Sequence, residues 1–302
     1  MKIHAQPKPL HEPLAGGTQG ATVSVEPLIA GHVNWPLPLM ESPGGRFLQL
    51  RLLRHMLTGK PPLLVPCPAF LIRHPSAGAI LVDTGLHPSI TADPRENFGN
   101  LGARIGRPEL GPGEDVPAQL RSRGLEPTQV VVVVMTHLHM DHASGISEFP
   151  QSTIVLTEEE WVAATTDSRP ALRGYRPAHY DHAFDYRTVD FNRGGVSSYA
   201  TFGRTFDLFG DGSIRLAYTP GHSAGHQCVI ARLGQRDFLI GGDVIYTYRQ
   251  LDDAPPPPRP VDRHQFRRSL QELRLFRREF PHAIITPGHD PSFYEQLEAR
   301  YD

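Results

Sequence analysis

Val130-Val131-Val132-Val133-Val134-Met135-Thr136-His137-Leu138-His139-Met140-Asp141-His142 is the stretch that decides the fold. Its five consecutive valines are stiff at χ1 and favour extended backbone. An apolar run without polar alternation reads as a strand buried on both faces, the habit of a sheet covered by helices on either side. The run ends in a burst of polar side chains. His137 and His139, two positions apart, project to one side of an extended backbone, and the chain must turn before Asp141 and His142 can face the same point. Three imidazoles and a carboxylate thus fall within six residues. The chain has sixteen histidines, so some clustering is unsurprising. Polar groups crowded at a buried strand end nevertheless need partners, and neutral imidazole with carboxylate is the ligand set of zinc and its neighbours.

Outward from this strand the chain reads as two runs of strands and helices. Residues 21–30 suit a first strand, and residues 47–57 an amphipathic helix that packs on the core or walls a pocket. Residues 69–73 and 79–82 pair around turn residues 75–78, and the second strand closes at Asp83-Thr84-Gly85. Residues 88–114, rich in Gly, Pro and Arg, read as loop, and residues 115–123 as a helix stopped by Gly124. A strand at 153–156 leads into Thr157-Glu158-Glu159-Glu160, where Thr157 and Glu160 predict a capping box and a helix through Ala164. Residues 166–203 are aromatic and irregular, and read equally well as a lid or pocket wall or as a loop packed on the sheet. Residues 204–209 and 213–218 predict a hairpin around Asp211-Gly212. Further strands follow at 227–231 and 238–240, then a stiff proline connector at 255–258, a helix at 261–279 and a last strand at 283–286.

With 302 residues, 39% of them hydrophobic, the chain has ample material for one large core. A formal charge of −2 gives no electrostatic footprint for nucleic acid. No window approaches the ~18 apolar residues of a membrane span, and the N-terminus has no apolar run of signal-peptide length; a cytoplasmic protein is expected. Cys67 and Cys228, far apart in sequence, fit two reduced, buried thiols better than a disulfide. Residues 1–20, rich in Pro, Gly and His, read as a disordered or loosely ordered tail, leaving 21–302 as a single domain.

Thr136-His137-Leu138-His139-Met140-Asp141-His142 resembles the His-x-His-x-Asp-His signature of the metallo-β-lactamase superfamily, a family of mostly dinuclear metallohydrolases. Four further blocks stand in that family's order: Leu81-Val82-Asp83-Thr84-Gly85, Thr219-Pro220-Gly221-His222-Ser223-Ala224-Gly225-His226, Gly242-Asp243 and Pro287-Gly288-His289-Asp290. The resemblance implies an α/β fold, a four-layer αβ/βα sandwich. It also implies two divalent metal ions, zinc by preference, with His137, His139 and His222 on one, Asp141, His142 and His289 on the other, and Asp243 bridging. Asp83 would hold the ligand loop from outside, and His226, four residues past His222, reads as a support rather than a ligand. Two ions ~3.5–4 Å apart can hold a bridging hydroxide that attacks an ester-like carbonyl, with Asp141 passing a proton to the leaving oxygen.

Within the superfamily the chain looks most like the N-acyl-homoserine lactonases, the quorum-quenching branch. Secreted β-lactamases carry a Cys near the position of Asp243; glyoxalase II enzymes add a domain after the last ligand, where only residues 290–302 follow here; flavo-diiron proteins place Glu where His139 stands. Tyr246, three residues past Asp243, matches the tyrosine that contacts the lactone carbonyl in that branch. The segments 31–65 and 166–203 are longer than in compact members, and Trp35, Met40 and Phe47 with the aromatic insertion are read as an apolar acyl groove. The implied function is metal-dependent opening of a lactone ring. The alternatives are hydrolysis of another ester, a thioester or a phosphodiester, and a non-catalytic metal-binding protein. The expected partner is a small-molecule substrate with an apolar acyl chain; a homodimer is allowed, and neither nucleic acid nor a membrane is expected.

Overall fold

Alternate side chains on two sheets reach one shared apolar layer, and this parity arranges everything else. The structure, a computed structural model, describes residues 3–40, 47–58, 61–257 and 260–302. Strands β1 Lys8–Pro9, β2 Ser24–Trp35, β3 Leu63–His74, β4 Gly78–Val82, β5 Val130–Val134, β6 Thr153–Thr157 and β7 Asp185–Val189 form a seven-stranded sheet in the order β1-β7-β6-β5-β4-β3-β2. Strands β8 Val196–Tyr199, β9 Phe202–Asp207, β10 Ile214–Tyr218, β11 Gln227–Arg232, β12 Asp237–Ile240 and β13 Ile284–Thr286 form a six-stranded sheet in the order β13-β12-β11-β10-β9-β8.

Between the sheets, Phe70, Ile72, Val132 and Val134 of the first meet Phe206, Leu216, Val229 and Phe238 of the second. Residues of the other parity point outward. Leu71, Leu81, Val133 and Leu156 pack under Leu120 of the helix Val116–Ser122 and Trp161 of the helix Glu158–Thr166. On the far side, Ala217, Ile230 and Leu239 pack against Phe266, Leu270, Leu273 and Phe276 of the helix Arg263–Glu279. The result is four layers, helix on sheet on sheet on helix, and each large apolar side chain buried this way contributes about 1.5–3 kcal/mol.

Direction matters as much as layering. β4, β5, β6 and β7 pair in parallel. In the other sheet β10 and β12 both run antiparallel to β11, and β13 runs parallel to β12. Hence β10, β12 and β13 point the same way, and the residues that follow them emerge at a common edge.

Several local expectations change. Residues 3–20 are not a loose tail: β1 pairs in parallel with β7, the backbone N–H groups of His4 and Ala5 donate to Asp181, Leu10 is buried between the sheets, and Thr18 N donates to Asp211. The partners lie roughly two hundred positions away, where no local periodicity could announce them; residues 1–2 lie outside the described residues. Residues 88–114 hold a short 3-10 helix at Pro88–Thr91 and a kinked α-helix at Pro94–Gly106, because His87 and Asp93 cap them and the prolines occupy the first helical turn, where a missing N–H does no harm. Val131 is 43% exposed, so β5 is not buried on both faces along its whole length. The helix Leu48–Leu57 forms, yet Leu50, Leu53 and Leu57 face solvent rather than the core. Residues 41–46 and 59–60 of the 31–65 segment and Pro258 of the proline connector lie outside the described residues. Most of the aromatic insertion packs on the sheets: Tyr186 lies 5.1 Å from Trp161, and Phe191 stacks on Tyr218 at 5.0 Å. Cys67 and Cys228 are free and buried, and among the described residues no helix is long and apolar enough to cross a membrane.

The layer assignment has a direct test. Phe238→Ala, at the centre of the shared layer, is expected to lower the stability measured by denaturant unfolding by about 3–5 kcal/mol. Val131→Ala, at an exposed position on a strand of equally apolar sequence, is expected to stay within about 0.5 kcal/mol of the parent.

Candidate metal centre

Four strands, drawn from both sheets, end around one space. Beyond β5 stand His137 and His139, beyond β10 stands His222, beyond β12 Asp243, and beyond β13 His289. Asp141 and His142 come from the short helix Met140–Ala143, for which His139 is the N-cap, so the turn demanded by the spacing of these residues is one helical turn. Asp243 follows Gly242, whose φ of 51° is left-handed and whose Cβ, if present, would lie 2.6 Å from His226 Nε2; only glycine fits there.

The donors fall into two groups, His137, His139, His222 and Asp243 in one and Asp141, His142 and His289 in the other, with the candidate ligand atoms of each within 4.8 Å of one another. Asp243 belongs to both by distance. Its Oδ2 is 3.3 Å from His222 Nε2 and 3.9 Å from His137 Nε2, while its Oδ1 is 3.3 Å from His142 Nε2 and 3.2 Å from His289 Nε2. Asp141 Oδ2 lies 3.4 Å from His289 Nε2 and 3.9 Å from His142 Nε2. His139 approaches the first group through Nδ1, 2.9 Å from His222 Nε2.

Partners outside the cluster fix the rings. Asp83 is the main one: its carboxylate accepts from Thr136 N at 2.8 Å, from Thr136 Oγ1 at 2.7 Å and from His142 Nδ1 at 2.8 Å. His137 Nδ1 meets the same Thr136 hydroxyl at 3.1 Å, and His289 Nδ1 donates to Pro66 O at 2.9 Å. With Nδ1–H engaged on all three rings, Nε2 is left as the lone-pair nitrogen.

Those inward atoms test whether a cation fits. His137 Nε2, His142 Nε2, His289 Nε2 and Asp243 Oδ1 are buried and have no hydrogen-bond partner. Each unsatisfied buried group costs about 1–3 kcal/mol, so four of them facing one another call for a shared partner, and a divalent cation is the partner their chemistry matches. Burial holds His137 and His222 well below the ordinary histidine range, in the neutral form that coordinates. Burial pushes His142 and His289 the same way, but the charges of Asp243 and Asp141 overcome it and raise both. A metal would compete for those nitrogens with a proton. Asp243 itself is held well below the carboxylate range, burial being outweighed by the rings of His289, His222 and His142.

His226 stands outside both groups. Its Nε2 accepts from Asp243 N at 3.1 Å, its Nδ1 meets Thr219 Oγ1 at 2.9 Å, and burial lowers it to about 3; it is a neutral prop under Asp243. Tyr246 is buried with its hydroxyl 3.4 Å from His222 Nδ1, and its ring belongs to an apolar cluster that includes Met40, Leu86, Ile90 and Phe98, with Trp35 packed against it. Phe47, 63% exposed, does not join that cluster. Two neighbours escaped sequence reasoning. Tyr175 of the insertion packs its ring 5.1 Å from His139. The sequence predicts Glu160 as half of a capping box; Thr157 Oγ1 does accept from Glu160 N, but the carboxylate turns away to Leu138, Ser223 and Gly225. The excess of glutamates before an apolar helix carried no sign of that.

The sequence pattern describing the metallo-beta-lactamase superfamily matches residues 62–289. N-acyl homoserine lactonase AttM of Agrobacterium fabrum is 31% identical over 235 residues, which cover 78% of this chain and 85% of that protein. N-acyl homoserine lactonase AiiB of the same organism is 28% identical over 252 residues, covering 77% and 82%. Among solved structures, an N-acyl homoserine lactone hydrolase with the product N-hexanoyl-L-homoserine at its catalytic metal centre superposes with a TM-score of 0.71 at 23% identity, covering 92% of this chain and 97% of that one, a likeness of fold.

Two donor groups predict two ions. After reconstitution with a divalent metal and desalting, elemental analysis is expected to find close to two ions per chain, against one if the groups act as a single site. Asp83→Asn is expected to weaken metal binding about 10–100-fold in a chelator competition, with the far-UV spectrum of the metal-free protein unchanged.

Proposed function

We propose a reaction from one premise: the chain belongs to the metallo-beta-lactamase superfamily. It opens the ring of a lactone, an N-acyl homoserine lactone by preference, through hydrolysis of the ring ester. In this reading His137, His139 and His222 would hold one ion, Asp141, His142 and His289 would hold the other, and Asp243 would serve both; zinc is the metal their donor types suit best. Bound there, the ions would supply Lewis acidity to the ring carbonyl and to the attacking water.

The chain's own groups do the rest. Water adds to the ring carbonyl, the bond between that carbon and the ring oxygen breaks, and one proton must travel from the water to the departing alkoxide. Asp141 Oδ2, beside His289 Nε2 at 3.4 Å, is placed to take that proton and return it. Tyr246 serves the carbonyl oxygen. Burial first, then the charges of Asp243 and Asp141, push its phenol well above the ordinary value, so it keeps its proton and can donate a hydrogen bond that strengthens as charge develops. Trp35 and Met40, in the apolar cluster around Tyr246, suit the acyl chain.

The observation that carries this reading is the position of Tyr246, whose hydroxyl meets His222 while its ring closes an apolar cluster. A carbonyl donor between metal ligands and an apolar wall is what an acyl lactone needs. The same relatives support the substrate class, since AttM and AiiB are both N-acyl homoserine lactonases. A cytoplasmic protein of one domain completes the reading.

A pH-stat screen of the metal-loaded protein against lactones, thioesters and phosphodiesters tests it, with lactones expected to give the highest kcat/KM and a clear preference for another class refuting the choice. Tyr246→Phe is expected to lower kcat on the best lactone about 10–100-fold, or ~1.4–2.7 kcal/mol at ~1.36 kcal/mol per decade, without loss of metal. Tyr248→Phe is the control, since Tyr248 stacks on Phe293 at 5.2 Å and lies under Arg277; it is expected to leave kcat unchanged.

A further inference from the structure

Glu160 is fully buried at the third position of the helix Glu158–Thr166. Among the described residues it has no lysine or arginine within ion-pair reach. Its oxygens divide their work between two loops. Oε1 accepts from Leu138 N at 2.9 Å, the amide between His137 and His139. Oε2 accepts from Ser223 Oγ at 2.6 Å and from Gly225 N at 3.0 Å, just beyond His222. The N-cap of the same helix adds a fourth tie: Thr157 Oγ1 donates to Gly225 O at 2.7 Å. The fit is tight, for a Cβ on Gly225 would collide with Thr157 Oγ1 and with the backbone of Glu160.

One carboxylate therefore clamps the two loops that carry His137, His139 and His222, and these are the histidines of a single donor group. The other group draws its support elsewhere, from Asp83 on His142 and Pro66 O on His289.

We infer that Glu160 is a positioning residue for one ion alone: by clamping the Leu138 and Ser223–Gly225 loops together it sets the geometry and affinity of the His137, His139 and His222 site. The inference rests on the metal reading given above. It predicts the form of the lesion as well as its place. In Glu160→Gln the amide NH2 must face either Leu138 N–H or the Ser223 and Gly225 pair; the serine hydroxyl can rotate to accept, but a backbone N–H cannot, so one clamp arm opens.

Stepwise metal affinities, measured by chelator competition, decide the matter. Two steps are expected in the wild type, and in Glu160→Gln one step weakened 10–100-fold with the other within threefold. In a His222→Ala background, where that site is already broken, adding Glu160→Gln is expected to change nothing further, since residues acting through one site do not add. Equal weakening of both steps, or an additive loss in the His222→Ala background, would make Glu160 a general support of the fold and overturn the inference; unchanged affinities overturn it too. Should Glu160→Gln fail to fold, Ser223→Ala, which removes one donor to Oε2, is expected to weaken the same step several-fold, and an unaltered step again overturns it. A wild-type chain that takes up fewer than two ions removes the underlying metal reading, and the inference with it.

Discussion

Five imidazoles and two carboxylates face one another in a buried space, and the protein's own hydrogen bonds leave four of their inward atoms without a partner. Such a set is costly on its own, because Nε2 of His137, His142 and His289 and Oδ1 of Asp243 have lost water and gained no partner. A shared cation reverses the sign of the problem. The rest of the structure can be understood as what is needed to keep seven side chains pointed at a place they would avoid without an ion.

Two kinds of constraint keep them there. Strand direction brings the ends of β4, β5, β10, β12 and β13 to neighbouring edges of the two sheets, so that Asp83, His137, His222, Asp243 and His289 arrive together without long loops. A layer of partners then sets orientation. Asp83 fixes His142 and the turn at Thr136, His226 props Asp243 from its backbone, and Glu160 ties the Leu138 amide to the loop after His222. Ring tautomers follow from these outer hydrogen bonds, which leave Nε2 inward on His137, His142 and His289. Function and folding meet here, since the same bonds that satisfy buried polar groups also preorganise the site.

The apolar side of the centre follows a different logic. Tyr246 is shared between it and the polar side: its hydroxyl reaches His222, and its ring packs with Met40, Leu86 and Phe98. A substrate with a polar ring and an apolar tail matches a site polar at one end and apolar at the other. The aromatic insertion contributes less to that wall than its composition suggests. Tyr180, Tyr186 and Phe191 bury themselves on the sheets, whereas Tyr175 packs against His139.

Spacing marked His137, His139, Asp141 and His142 as a ligand cluster, the resemblance of the further motifs to the superfamily's added His222, Asp243 and His289, and the valine run with its neighbours announced a covered sheet. Hairpin and helix positions from 204 to 286 were likewise legible, since turn residues and apolar period act over a few positions. Tertiary structure alone decided what depends on distant partners. The N-terminal residues are ordered by Asp181 and Asp211, the prolines at 88 and 94 begin helices because His87 and Asp93 cap them, and Val131 is exposed although its sequence is as apolar as its neighbours'. Glu160 makes the same point most sharply. A Thr-x-x-Glu pattern predicts a local box, and only the folded chain brings the amides of Leu138 and Gly225 within reach, where a buried carboxylate gains more by satisfying two loops than by returning to its own helix.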